Sequence, residues 1–279
     1  MSHFVSTQWL ADHLDDPKVQ VIDASWHMPN AGRDAHTEYL AGHIPGAIFF
    51  DLDTNADTSS GLPHMLPDPA VFSALAGALG ISSDTVLVVY DEAGLFSAPR
   101  AWWTFKVMGA HGVKILEGGG PKWRAESRQL DSGTSKAPPA KFEAKFDSDA
   151  VVGFQEVLAA SESGHQIVDA RGAARFAGDT PEPRAGLKSG HIPSSRNLPF
   201  DTLIADGALR SDTELAGAIA AAGIDATKPV ITSCGSGVTA AVLALALDTI
   251  SASQVALYDG SWTEWGGRDD APIETGPAR

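Results

Sequence analysis

The chain has 279 residues, 43% of them hydrophobic and 20% charged, with a formal net charge of −15. That length admits two ordinary domains or one large one, and that composition excludes a disordered or fibrous chain. The acidic balance excludes nucleic acid and anionic lipid as partners, since both need a cationic surface. A small anionic substrate stays admissible where arginines cluster locally against the overall field. No apolar run reaches the roughly 20 residues of a membrane helix, so no membrane association is expected. The opening stretch MSHFVSTQWLADHLDD lacks a basic segment followed by an apolar core, so no secretory signal is read there. The single cysteine, Cys234, allows no intramolecular disulfide, and a cytoplasmic setting is expected.

In chain order, a β-branched run within 19–23 ends in Asp23-Ala24, and Gly-His-Ile-Pro follows at 42–45. TVLVVYDEAG (85–94) and VKILEGGGPKW (113–123) come next. The stretch SRQLDSGTSKAPPAKFEAKFDSD (127–149) is rich in Ser, Gly, Pro and Lys without an apolar period, and reads as a linker. Its centre, 131–146, separates a domain of residues 1–130 from one of residues 147–279. In the second half the spacing predicts helices over 153–163, 212–222 and 238–249, and strands over 166–170, 196–199, 229–233 and 254–258. Its landmarks repeat those of the first half in the same order: Asp169-Ala170, Gly-His-Ile-Pro at 190–193, KPVITSCGSG (228–237) and QVALYDGSWTEW (254–265). The offset holds at about 145 residues, which marks an internal duplication. Alternating strands and helices point to an α/β fold with a mainly parallel sheet flanked by helices in each half. Active groups in such sheets sit at the carboxyl ends of strands, where Cys234 falls.

Behind Cys234 run Gly235, Ser236, Gly237, Val238 and Thr239, and then an Ala/Leu-rich helix. Glycines let the loop curl so that successive N–H groups point inward, and the helix start adds more unsatisfied donors. A thiolate, a persulfide or an oxyanion is stabilised in such a place, which makes the cysteine a good nucleophile. A free cysteine is more often a small buried hydrophobe, but strand, cysteine, glycine-rich loop and helix in succession favour the reactive role. Phosphatase loops of the form Cys-x5-Arg are excluded, because the sixth residue after Cys234 is Ala240. His43 and His191 occupy equivalent places in the two halves and are expected to brace loops rather than bind metal. The glycines 118–120 lack nucleotide-binding spacing, and Trp262 and Trp265 read as packing residues.

Together these residues resemble the tandem-domain sulfurtransferases of the rhodanese superfamily. The duplicated Gly-His-Ile-Pro, YDEAGLFSAPRAWW (90–103), the linker, CGSGVTA (234–240) and DGSWTEW (259–265) all match, so the likeness covers nearly the whole chain. Within the superfamily, CGSGVTA is similar to the loop of the members that use 3-mercaptopyruvate, whereas thiosulfate-using members typically carry CRKGVTA. Charge accounts for the difference. Thiosulfate is a compact dianion helped by cations beside the thiol, while 3-mercaptopyruvate is a monoanion whose carboxylate needs a planar guanidinium at a distance.

The resemblance implies two tandem rhodanese-like domains, the first catalytically silent because Asp91 stands at the cysteine position. It implies Arg175 and Arg184, in ARFAGDTPEPRAG (174–186), as the clamp on the donor's carboxylate and keto oxygens. It implies a relay of Ser236, His64 and Asp53, the last two in FFDLDTNADTSSGLPHMLP (49–67), and a persulfide cradle from Gly235 through Gly237, Val238 and Thr239. Sulfur would pass from 3-mercaptopyruvate through Cys234 to a thiol, such as a thioredoxin-like protein, or to cyanide, releasing pyruvate. No metal or organic cofactor is implied. Thiosulfate:cyanide sulfur transfer and a non-enzymatic persulfide carrier are the alternatives.

Overall fold

The structure, a computed structural model, describes residues 2–278. These divide into two compact units. The first holds residues up to 57, 66–147 and 206–208; the second holds 58–65, 148–205 and 209–278.

The first unit runs β1 (Phe4–Val5), α1 (Thr7–His13), β2 (Val19–Asp23), α2 (Ala35–Ala41), β3 (Ile48–Phe49), α3 (Pro69–Ala78), β4 (Val86–Tyr90), α4 (Ala98–Val107), β5 (Gly112–Leu116) and α5 (Gly119–Ala125). Its five strands lie in the order β1-β5-β4-β2-β3, every pair parallel. Short polar residues start the helices: Ser6 Oγ accepts the Trp9 N–H, and the Asp34 and Asp68 carboxylates accept those of Thr37 and Ala70. Residues 131–146 run extended along this unit. Asp131 and His43 exchange backbone hydrogen bonds at 2.9 Å, Ala140 N–H donates to Gly77 O, and Phe142 packs on Phe72 and Phe105.

The second unit runs β6 (Val151–Val152), α6 (Phe154–Ser163), β7 (Gln166–Asp169), α7 (Ala173–Ala177), β8 (Arg196–Asn197), β9 (Ile204–Ala205), β10 (Ala208–Leu209), α8 (Asp212–Ala221), β11 (Val230–Ser233), α9 (Ala240–Thr249), β12 (Val255–Tyr258) and α10 (Ser261–Trp265), with Ala208 of β10 clustering in the first unit. Its sheet order, β6-β12-β11-β7-β8, repeats that of the first unit, again with every pair parallel. The duplication visible in the sequence is therefore a duplication of topology. The α/β fold with mainly parallel sheets is as the sequence predicts. No helix among the described residues is long and apolar enough to cross a membrane.

Element boundaries shift for local reasons. The last long helix starts at Ala240 rather than 238, because Gly237 takes φ +77° and Val238 and Thr239 close tight turns to Ala241 and Val242. The strand expected over 196–199 stops at Asn197, ahead of Pro199, which has no N–H for a ladder. The short elements β6, α7, β9, β10 and α10 carry too few residues for a periodic signal. Helix α9 is buried from Ala240 to Leu247 without a break. A helix apolar on all sides belongs in the core, and it fixes the loop that precedes it.

Candidate active site

Parallel pairing sets the site's frame. In the second unit Asp169, the last residue of β7, lies in register with Ser233, the last of β11. The residue after Ser233 is Cys234, so the cysteine emerges at the carboxyl end of the sheet beside Asp169. In the first unit Asp23 pairs with Tyr90 in the same way, and the next residue is Asp91. Cys234 and Asp91 are thus topological equivalents.

Asp91 reveals what this turn is built to hold. Its carboxylate, 1% exposed, accepts five backbone N–H groups. Ala93 and Gly94 donate to Oδ1 at 2.9 and 2.7 Å, and Phe96, Ser97 and Ala98 donate to Oδ2 at 2.7–2.8 Å. The turn is an anion nest filled by its own side chain.

In the second unit the equivalent turn carries no internal anion. The N–H groups of Gly235, Ser236, Val238 and Thr239 have no hydrogen-bond acceptor among the described residues. The turn is nonetheless held rigidly. Cys234 N–H donates to Ser261 Oγ at 3.2 Å, Trp262 N–H donates to Cys234 O at 2.9 Å, and Gly235 O accepts both the N–H and the hydroxyl of Thr263 at 2.8 and 2.7 Å. Cys234 itself is 2% exposed. Unsatisfied donors in a largely buried turn favour an anion.

Ser236, 5% exposed, meets a histidine from far off in the chain. His64 Nδ1 lies 3.1 Å from Ser236 Oγ and 3.3 Å from Ser236 O. The segment 58–65 that carries His64 belongs to the second unit, although its sequence position lies in the first half. Asp53 belongs to the first unit, where its two carboxylate oxygens accept the Trp26 Nε1–H at 3.2 and 3.1 Å.

The arginines form a chain of charge. Arg171, fully buried, is bidentate on Asp169 at 2.6–3.1 Å, donates to Gly190 O at 2.8 Å, and lies 4.3 Å over the Trp262 ring. Its Nη1 reaches Glu182 Oε1 at 2.8 Å. Glu182 also accepts Arg175, from Nε at 3.2 Å and Nη2 at 2.5 Å. Arg175 in turn rests on the cysteine turn: a Cβ placed on Gly235 would stand 3.1 Å from its Nη2. Arg184 is half-buried in the same segment. Sequence reasoning singled out Arg175 and passed over Asp169, Arg171 and Glu182. The signal available was the contrast between the repeats, since the first half has Ser25 where the second has Arg171.

His43 and His191 brace loops. His43 Nδ1 lies 2.8 Å from Tyr39 O and Nε2 2.9 Å from Ser135 Oγ, and His191 Nδ1 lies 2.9 Å from Phe176 O. Among the described residues no group of His, Cys, Asp and Glu has the makings of a metal site.

The rhodanese-like domain family matches residues 6–126 and again 154–268. The chain belongs to the rhodanese family. It is 48% identical to the 3-mercaptopyruvate sulfurtransferase of Escherichia coli over 97% of each chain, and 42% identical to the human protein of that name over 94% of this chain and 91% of that one. It is also 44% identical to the thiosulfate sulfurtransferase of Bos taurus, covering 97% and 93%. Among solved structures it superimposes on SseA from Escherichia coli, a 3-mercaptopyruvate sulfotransferase, with a TM-score of 0.87 at 46% identity, covering 94% of this chain and 99% of that one.

Proposed function

We propose that this chain is a 3-mercaptopyruvate sulfurtransferase that works through a persulfide on Cys234. The observation that carries this reading is the turn after Cys234, where the N–H groups of Gly235, Ser236, Val238 and Thr239 have no acceptor among the described residues while the equivalent turn is filled by Asp91. The outer sulfur of a persulfide anion supplies the missing charge.

The Cys234 thiolate attacks the donor's sulfur. An S–S bond forms, the C–S bond breaks, and its electron pair stays on pyruvate as the enolate. The proton given up by the new persulfide passes to the enolate carbon. Ser236 with His64 forms the relay for that proton, and the family pattern adds Asp53 as its acid. Arg175 and Arg184 hold the carboxylate and keto oxygens as charge develops. An acceptor thiol, of a thioredoxin-like dithiol protein or a small molecule, then attacks the outer sulfur and returns Cys234 as the thiolate. Cyanide can serve in its place. The scheme is ping-pong with a covalent intermediate and calls on no cofactor. It suits the cytoplasm, where thiols stay reduced. The first domain, with Asp91 in its nest, is silent.

Thiosulfate transfer is the second reading, favoured by the 44% identity to the bovine enzyme. Gly235 and Ser236 argue against it, because neither brings a cation to a dianion. The ratio of kcat/KM on the two donors decides. Pyruvate release from 3-mercaptopyruvate with a thiol acceptor, together with one extra sulfur on Cys234 in the protein's mass when the acceptor is withheld, is the expected result. A protein that binds sulfur but releases no pyruvate is a carrier and not this enzyme.

A further inference from the structure

The turn itself carries no cation at 235 or 236, yet a guanidinium lies against it. A Cβ on Gly235 would stand 3.1 Å from Arg175 Nη2, closer than ordinary van der Waals contact. Two features of that contact need a cause: what holds the flexible arginine in place, and why its charge does not make the site a receptor for dianions.

Glu182 answers both. Its side chain is 2% exposed, between Pro181 and Pro183, whose fixed φ angles stiffen the segment. Its position is fixed on one side by Arg171, which cannot move: that guanidinium is fully buried, bidentate on Asp169, bonded to Gly190 O and stacked on Trp262. On the other side both Glu182 oxygens hold Arg175. A side chain 29% exposed, which would otherwise sample several rotamers, is thereby aimed at the turn. The cluster holds two carboxylates, Asp169 and Glu182, and two guanidiniums, Arg171 and Arg175, so it is neutral as a whole.

We propose that Glu182 is a further determinant of donor preference, beside the uncharged Gly235 and Ser236, by holding Arg175 against the Cys234 turn and cancelling its charge there. The proposal rests on the sulfurtransferase reading above. The two effects act in opposite directions on the two donors. A monoanionic 2-oxo thiol needs Arg175 in a defined place to meet a planar carboxylate. A compact dianion such as thiosulfate needs net positive charge near the thiol and is disfavoured by neutrality. Glu182 is a positioning residue: it acts through Arg175.

The test is steady-state sulfur transfer to cyanide by the full chain, with each donor in turn. Glu182→Gln removes the charge and one strong hydrogen-bond acceptor. Its KM for 3-mercaptopyruvate is expected to rise about tenfold with a smaller fall in kcat, while kcat/KM for thiosulfate rises several-fold. Glu182→Asp keeps the charge and shortens the reach; KM for 3-mercaptopyruvate rises and thiosulfate stays at the wild-type level. A purely structural role lowers both donors by one factor in both variants, and that result overturns the proposal, as does wild-type behaviour in both. Should Glu182→Gln fail to fold, Glu182→Asp decides alone: an unchanged KM for 3-mercaptopyruvate, or an equal loss on both donors, overturns it. Failure of the wild type to release pyruvate is a separate result and strikes the underlying reading.

Discussion

His64 Nδ1 stands 3.1 Å from Ser236 Oγ although the two residues are 172 positions apart in the chain. Both side chains are buried, and His64 takes φ +63°, a left-handed conformation that a non-glycine residue adopts at a cost of order 1 kcal/mol. Such strain persists where the surroundings over-determine it. In a proton relay, loss of either member lowers kcat by about 10²-fold. His64→Ala and Ser236→Ala are each expected to do so on 3-mercaptopyruvate, and the double variant to fall no further than the worse single one. Additive losses in the double variant would disconnect the pair.

Cys234→Ser should abolish sulfur transfer while leaving the unfolding free energy within about 1 kcal/mol of the wild type, since a serine of similar size keeps the backbone hydrogen bonds of the turn. Pyruvate assay and urea titration read the two halves of this statement. Any persistent turnover removes the nucleophile from the scheme.

Arg184→Ala should raise KM for 3-mercaptopyruvate more than for thiosulfate, because only the former carries a carboxylate remote from its sulfur. Equal effects on both donors would show that Arg184 does not read that carboxylate.

Asp91→Ala withdraws the acceptor from five backbone N–H groups at once, three of them buried. The expected loss is at least about 3 kcal/mol, from the cost of leaving buried donors unsatisfied, read as a lower urea midpoint. A change under about 1 kcal/mol would mean that the nest finds other acceptors, water included.

Asp23 gives the first unit an unusual pH dependence. Its counterpart Asp169 is neutralised by Arg171, but two residues beyond Asp23 stands Ser25, and Asp23 Oδ2 has no hydrogen-bond partner among the described residues. Burial therefore pushes its pKa from 3.8 up to about 6, with hydrogen bonding to Ser25 and Tyr90 a lesser, opposing influence. A carboxyl whose folded pKa is raised stabilises the fold fully below its unfolded pKa and loses that contribution as pH rises through the folded value. The wild type should thus lose about 3 kcal/mol between about pH 4 and pH 7 relative to Asp23→Asn, in which the step is absent. Urea unfolding of both proteins across that range checks the sign; parallel curves would refute it.

The sequence alone determined the duplication, the parallel α/β fold and the place of Cys234 at the carboxyl end of a strand. All three are local or periodic: β-branched runs, glycine-rich turns, and landmarks recurring at a near-constant offset. Arg175 was singled out through the resemblance of its segment to that of the family, not through any period. Tertiary structure alone decided the rest. That Asp91 fills its own nest depends on backbone directions, which no residue type states. That His64 joins the second unit depends on where one loop packs. That Glu182 bridges a buried and a half-exposed arginine depends on side chains 7 and 11 residues away meeting in space. Glutamate between two prolines carries no periodicity, so only the folded chain shows which charges it holds.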